Sequence, residues 1–260
     1  MSIPSTLTTS FLSANNTRRR QACLVVSKFL HLSHAFYKKG QRSSSNQWLE
    51  RQRRDPFVKQ AGKENYRCRS AFKLLQIDDK YGILKPGQVV IDCGAAPGSW
   101  CQAAVQKVNS LNQDSSQPQG MVIGIDLQHI APLDGAITLS GCDFTSPDTY
   151  DKVSSILQER RVDILLSDMA PSATGIKSHN HELIVGLCFS VLRFSLAVLK
   201  PGGTMLCKLW QGGSQDRLAA AMRTVFQDVR VVKPEASRDD SAEVFMMGRG
   251  FKSKKSDAGS

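Results

Sequence analysis

The run Asp92-Cys93-Gly94-Ala95-Ala96-Pro97-Gly98-Ser99-Trp100 is the sharpest chemical signal in the chain, because its small residues join an apolar strand to a helix. In open α/β sheets such a turn, at the carboxyl end of the first strand, lets a ligand approach the backbone. Gly94 and Gly98 do not have G-x-G-x-x-G spacing, which argues against a dinucleotide phosphate cradle. Two acids extend the pattern. Asp126 closes the next apolar run, where a carboxylate accepts from the ribose hydroxyls of a nucleoside. Asp143 follows the third run and is placed to accept from an adenine amino group. Singly, each acid reads equally well as a turn or cap residue; with the glycine loop they describe one nucleoside site.

Those groups need a scaffold. Short β-rich runs occur at Val89–Ile91, Met121–Ile125, Ala136–Leu139, Val162–Leu166, Thr204–Cys207, Val229–Val232 and Val244–Met247. Helical patterns at about 98–108, 147–159, 180–198 and 214–226 separate them. Before the first strand, Ser70–Lys80 places Phe72 and Leu75 on one helical face, and Gly82 with Lys85-Pro86-Gly87 supplies the stop. This alternation predicts an α/β fold, a mostly parallel sheet with helices on both faces. Polar Ser110–Gln119 reads as a surface loop. It accounts for the distance from Asp92 to Asp126, which exceeds the roughly 20 residues usual in dinucleotide folds.

Composition sets the setting. Of the net charge of +11, residues 1–49 supply seven basic side chains and no acid, and residues 50–73 supply eight against Glu50, Asp55 and Glu64. The acid-free, Ser/Thr-rich stretch beside the apolar Cys23–Phe36 matches a mitochondrial transit peptide and predicts the matrix as destination. The expected organisation is leader and linker over 1–46, one folded domain over 47–252 and a polar tail over 253–260. Seven cysteines lack C-x-x-C spacing, so they read as reduced thiols with no metal site. No apolar run approaches the roughly 18 residues of a membrane span. His129, His179 and His181 show no catalytic pattern and read as surface or loop residues.

The D-x-G-x-x-P-G loop resembles the S-adenosylmethionine loop of class I methyltransferases. Over residues 54–250 the chain resembles the FtsJ family of ribosomal RNA 2′-O-methyltransferases. The motifs that carry this are Arg67-Cys68-Arg69-Ser70-Ala71-Phe72-Lys73-Leu74, Asp92 to Trp100, Ser167-Asp168-Met169-Ala170-Pro171, Leu206-Cys207-Lys208, Lys233-Pro234-Glu235-Ala236-Ser237-Arg238 and Ser241-Ala242-Glu243-Val244-Phe245. The resemblance implies a Rossmann-like sheet with an antiparallel last strand and a catalytic tetrad of Lys73, Asp168, Lys208 and Glu243. It further implies S-adenosylmethionine held by Pro97, Gly98, Ser99, Trp100, Asp126, Asp143 and Asp168. With the leader, the nearest branch is the mitochondrial one, which implies a uridine ribose of large-subunit rRNA, free or in a preribosomal particle, as substrate. Phe245 departs from the tyrosine many relatives carry, and Ser99 from a frequent Gly or Ala.

Methyl transfer from a sulfonium is an in-line displacement that needs the 2′-oxygen positioned and its proton managed. Lys208 is the candidate to accept that proton or to stabilise the developing oxyanion, and both roles stay open. The basic segment offers Arg51, Arg53, Arg54, Lys59, Lys63, Arg67 and Arg69 to the phosphate backbone, with Trp48, Phe57 and Tyr66 interleaved as stacking or packing residues. Two other functions compete. A small-molecule O-methyltransferase predicts methylation without RNA, and a non-enzymatic assembly factor predicts full function from Lys208→Ala.

Overall fold

Five consecutive buried residues, Val89–Cys93, make up strand β1, and a strand buried on both faces belongs in the middle of a parallel sheet. The computed structural model describes residues 50, 52–171, 177–212, 215–238 and 241–252. The expected leader, the 253–260 tail, Cys23, Trp48 and Arg51 lie outside the described residues.

In chain order the elements are α1 (Pro56–Lys63), α2 (Ala71–Tyr81), β1 (Val89–Cys93), α3 (Ser99–Lys107), β2 (Met121–Asp126), β3 (Ala136–Ser140), α4 (Pro147–Leu157), β4 (Val162–Ser167), α5 (Lys177–Val198), β5 (Leu199–Trp210), α6 (Gln215–Val225), β6 (Phe226–Val232) and β7 (Glu243–Phe251). The seven-stranded sheet runs β3-β2-β1-β4-β5-β7-β6. Neighbours from β3 through β5 are parallel, whereas β7 enters antiparallel between β5 and β6. The sheet thus has the mostly parallel order that the sequence predicts and the antiparallel last strand that the resemblance implies. The order reverses at β1, and at such a switch point the carboxyl ends of the strands open a crevice.

Period-two alternation gives the sheet two cores. On one face Ile91, Ile123, Leu165, Cys207 and Met246 meet α4, α5 and α6. On the other, Val90, Leu166, Leu206, Phe245 and Met247 meet Leu74 and Ile77 of α2 and Trp100, Ala103 and Ala104 of α3. Burying Leu74 and Ile77 contributes about 1.5–3 kcal/mol each. The apolar face of α2 therefore fixes the helix on which Lys73 rides.

α1 is an element that the periodicity did not reveal. Asp55 caps it by accepting from Phe57 N at 3.0 Å, and Pro56 occupies the first turn. Phe57 and Tyr66 both pack on Phe72, with ring centroids 5.7 and 5.6 Å apart respectively. A third small cluster of Ala61, Phe72 and Ala236 joins α1 to α2 and to the loop before β7.

Two readings change. β5 starts at Leu199 rather than near Thr204, because a register shift between Val162 and Ile164 lets the strand continue through Lys200-Pro201-Gly202-Gly203. His179–Val198 of α5, with mean hydropathy 1.6, is long and apolar enough by composition to cross a membrane, contrary to the sequence reading. Ile184, Cys188, Val191 and Phe194 nonetheless form part of the core beneath β4 and β5. His179, exposed, and His181, half-buried, sit on this helix. The described cysteines are free thiols, all buried except the half-buried Cys68.

Candidate active site

Strand register brings the four tetrad residues together. Asp168 is the first residue past β4, whose Ser167 pairs with Cys207, so Asp168 is level with Lys208 on β5. Across the antiparallel junction Lys208 faces Phe245 and Trp210 faces Glu243, which puts Lys208 and Glu243 on the same side of the sheet. Lys73 reaches them from the first turn of α2.

The four charges alternate in sign along a chain of contacts. Lys208 Nζ lies 3.0 Å from Asp168 Oδ1, which is 3.6 Å from Lys73 Nζ, and Lys73 is 2.8 Å from Glu243. Side-chain exposure is 9% for Lys208, 16% for Asp168, 12% for Lys73 and 13% for Glu243. Charges this far from water persist when paired and hydrogen-bonded. Two hydroxyls add hydrogen bonds to the acids, while Asp168 Oδ1 keeps only its ion pairs among the described residues. Ser70, at the N-cap position of α2, gives its hydroxyl to Asp168 Oδ2 instead of to the helix, and Ser237 Oγ donates to Glu243 Oε1 at 2.8 Å. Phe245 is fully buried, with Trp100 5.6 Å from its centroid and Lys73 Nζ 5.8 Å away over its face. At position 245 an apolar ring supports the lysine, where a phenol would offer a hydroxyl.

The glycine loop lies beside this cluster. Ala96 N donates to Asp126 Oδ2 at 2.9 Å and Gln128 N to Oδ1 at 2.7 Å, so Asp126 fastens the loop to the end of β2 while each oxygen keeps acceptor capacity. Gly98 has φ +108°, and a Cβ there would meet Arg67 Nη1 at 2.4 Å. Trp100 is buried with Nε1 donating to Ser70 O at 2.8 Å, and Ser99 Oγ receives Cys68 Sγ at 3.0 Å. These two side chains brace the loop from behind. Asp143 is exposed and accepts from Thr145 N at 2.8 Å and Thr145 Oγ1 at 2.7 Å.

Asp92 adds a feature that the sequence reading did not assign. Its carboxyl is buried, and Oδ1 has no hydrogen-bond partner among the described residues. Burial pushes its pKa up to about 7; the Cys101 thiol, 3.4 Å from Oδ2, pulls it down, while the negative charges of Asp168 and Asp126 push it further up. An unsatisfied buried acid at the loop fits a cationic ligand, and S-adenosylmethionine carries a sulfonium and an ammonium. The residues present therefore fit that cofactor.

The basic segment divides in two. Arg53, Arg54, Lys59 and Lys63 are exposed, as phosphate contacts require; Arg54 pairs with Glu50 at 2.6 Å. Arg67 and Arg69 turn inward. Arg67 donates to the carbonyls of Pro97 at 2.7 Å, Ala131 at 2.9 Å and Pro132 at 2.7 Å. Arg69, with 15% side-chain exposure, bonds Asp55 and the carbonyl of Ala236. Asp55, Ser70, Ser237 and Arg238 carry site geometry that sequence reasoning missed. The available signal was that Ser70, Ser237 and Arg238 fall inside the family motifs.

The FtsJ-like methyltransferase family model matches residues 66–251. The chain is 49% identical over 214 residues to the mitochondrial rRNA methyltransferase 2 of Drosophila melanogaster, covering 82% of this chain and 86% of that protein. It is 46% identical over 219 residues to ribosomal RNA large subunit methyltransferase E of Cereibacter sphaeroides, covering 84% and 89% respectively. A crystal structure described as a ribosomal RNA methyltransferase from Plasmodium falciparum superimposes with TM-score 0.63 at 29% identity, over 72% of this chain and 98% of that one. The family match takes in every tetrad position and the whole glycine loop, and the relatives align over nearly their full length; the chain belongs to the FtsJ-like methyltransferase family.

Proposed function

We propose that this chain uses S-adenosylmethionine to methylate the 2′-oxygen of a uridine ribose in large-subunit ribosomal RNA, in the mitochondrial matrix. The observation that carries this reading is the Lys208–Asp168–Lys73–Glu243 chain of contacts at the carboxyl edge of the sheet, beside the glycine loop. The cofactor supplies an electrophilic methyl on a sulfonium. Asp92 would balance its positive charge, Asp126 would accept from its ribose hydroxyls and Asp143 from its adenine amino group. Lys208, fixed by Asp168, would hold the 2′-oxygen in line and stabilise its developing negative charge; the methyl would pass from sulfur to that oxygen, leaving S-adenosylhomocysteine, and the hydroxyl proton would pass to solvent. Lys73 and Glu243 orient the ribose side.

Support for the compartment comes from the acid-free leader, and support for the substrate from the names of the relatives. Nucleotide-resolution 2′-O-methyl mapping of mitochondrial rRNA, with and without the chain, tests the activity: one position should lose its methyl group and regain it with wild type, but not with Lys208→Ala. No change at any position rejects the reading. Residues 1–45 fused to a fluorescent reporter should carry it into mitochondria, and a cytosolic signal from both fusion and full chain rejects the location.

A further inference from the structure

The motif Lys233 to Arg238 has no role in the chemistry above except through Ser237, yet its last residue faces an open cleft beside the tetrad. This cleft, about 380 Å³, is lined by Gln52, Arg69, Lys73, Arg238, Ser241 and Glu243 among others. We propose that it seats a phosphodiester flanking the target ribose, with Arg238 as the phosphate ligand. This inference rests on the RNA methyltransferase reading.

Charge points to an anion. Three lining residues are cationic and one is acidic, and that acid, Glu243, is already held by Lys73 at 2.8 Å and Ser237 at 2.8 Å. Behind the cleft, buried Asp55 is shared by two guanidiniums. Arg69 takes Oδ2 of Asp55 at close range, together with the Ala236 carbonyl. Arg238 reaches the same oxygen only at 3.3 Å from Nη2 and 3.4 Å from Nε. One carboxylate balances one of the two cations. Among the described residues Arg238 is therefore the less compensated of the two, and its side chain is 34% exposed against 15% for Arg69. A guanidinium with donors unused among the described residues, beside a cleft, matches phosphate, which it binds through two parallel hydrogen bonds.

Position selects the RNA over the cofactor as the source of that anion. The cleft walls come from the approach to α1, from α2 and from the loop before β7, and residues 92–100 are not among them. A ribose held with its 2′-oxygen at Lys208 carries one phosphodiester on the adjacent 3′ carbon and another on its 5′ carbon, so an anion seat one side chain past Lys73 meets the substrate backbone. Gln52 and Ser241 add neutral hydrogen-bonding groups to the same walls. Ser237, the residue before Arg238, donates to Glu243 Oε1, which ties this wall of the cleft to the tetrad.

The test uses a large-subunit rRNA transcript bearing the mapped target nucleotide. Arg238→Gln should raise KM for RNA by about tenfold, keep kcat at saturating RNA within about threefold of wild type and flatten the salt dependence by about one counterion. Arg238→Lys, which keeps the charge, should recover part of the loss. A second measurement needs no mutation: wild-type binding to an oligonucleotide with a 2′-deoxy target nucleotide and a neutral methylphosphonate at one flanking linkage. Affinity should fall about tenfold at one of the two linkages, and the same replacement should cost Arg238→Gln nothing further. No penalty at either linkage, an unchanged KM and salt slope in Arg238→Gln, or equal penalties in wild type and variant would overturn the phosphate seat. Failure of the wild-type protein to methylate the transcript or rRNA would instead overturn the parent reading.

Discussion

Lys208 is held at two points by a single residue: its Nζ lies 3.0 Å from the Asp168 carboxylate and also donates to the Asp168 backbone carbonyl. The carbonyl hydrogen bond survives neutralisation of the carboxylate, whereas the ion pair does not. Asp168→Asn should therefore lower methyl transfer less than Lys208→Ala. For Lys208→Ala we expect a fall in single-turnover rate of about 100-fold or more, with RNA and cofactor affinities nearly intact, because one interior lysine adds little to a many-contact phosphate interface. Near-normal transfer in Lys208→Ala would remove it from the chemistry.

Asp92 should give the cofactor site a pH dependence. A cation bound at the orphaned Oδ1 favours the ionised carboxyl, so with a pKa of about 7 in the free protein cofactor affinity should rise with pH through about 7 and then level off. Stability runs the other way. The folded carboxyl titrates above the ordinary 3.8, so the native state holds more protons between those values and loses stability as pH rises from about 4 to about 7. Asp92→Asn should melt roughly 5 °C higher at pH 8 and bind cofactor weakly with a flat pH profile. Calorimetry at pH 6 and pH 8 decides it, and equal affinities for wild type at both values would refute the assignment.

Arg67 should behave as a cofactor-loop brace despite lying in the basic segment. Its three carbonyl partners belong to the glycine loop and to the turn after β2. Hydrogen bonds from a charged group contribute about 1.5–3 kcal/mol each, so Arg67→Gln should weaken cofactor binding at least about tenfold and RNA binding far less. The reverse ratio, from separately measured dissociation constants, would return Arg67 to the RNA surface.

The exposed basic residues should carry the bulk electrostatics. Replacing Arg53, Arg54, Lys59 and Lys63 with Gln should weaken RNA binding and reduce the slope of log affinity against log salt by about 0.7–0.9 for each phosphate no longer neutralised. Turnover at saturating RNA should change little. An unaltered slope in fluorescence anisotropy would place the main RNA path elsewhere.

Much of this architecture could be read from sequence because it rests on local periodicity. Branched apolar runs separated by helical patterns located the strands, and the ordered motifs named Lys73, Asp168, Lys208 and Glu243, which the register then brings together. What stayed hidden depends on distant partners. α1 has little apolar surface, with Phe57 and Ala61 facing its small cluster, so its sequence signature was the Asp55-Pro56 cap and not a stripe. Arg54 and Arg69 are the same residue type in one basic run, yet one is solvated and the other is bound to Ala236, 167 positions away. Side-chain type cannot separate these cases when the partner is that remote.

The insertion of β7 between β5 and β6 also orders events during synthesis. A ribosome that has released the chain through β6 has produced Lys73, Asp168 and Lys208, but no Glu243, and β5 still has an unpaired edge of a kind prone to joining other chains. The strand that closes this edge also delivers the fourth charge. A nascent chain therefore completes the tetrad and closes this open edge in the same step, and a product truncated before residue 243 is expected to be inactive and insoluble at once.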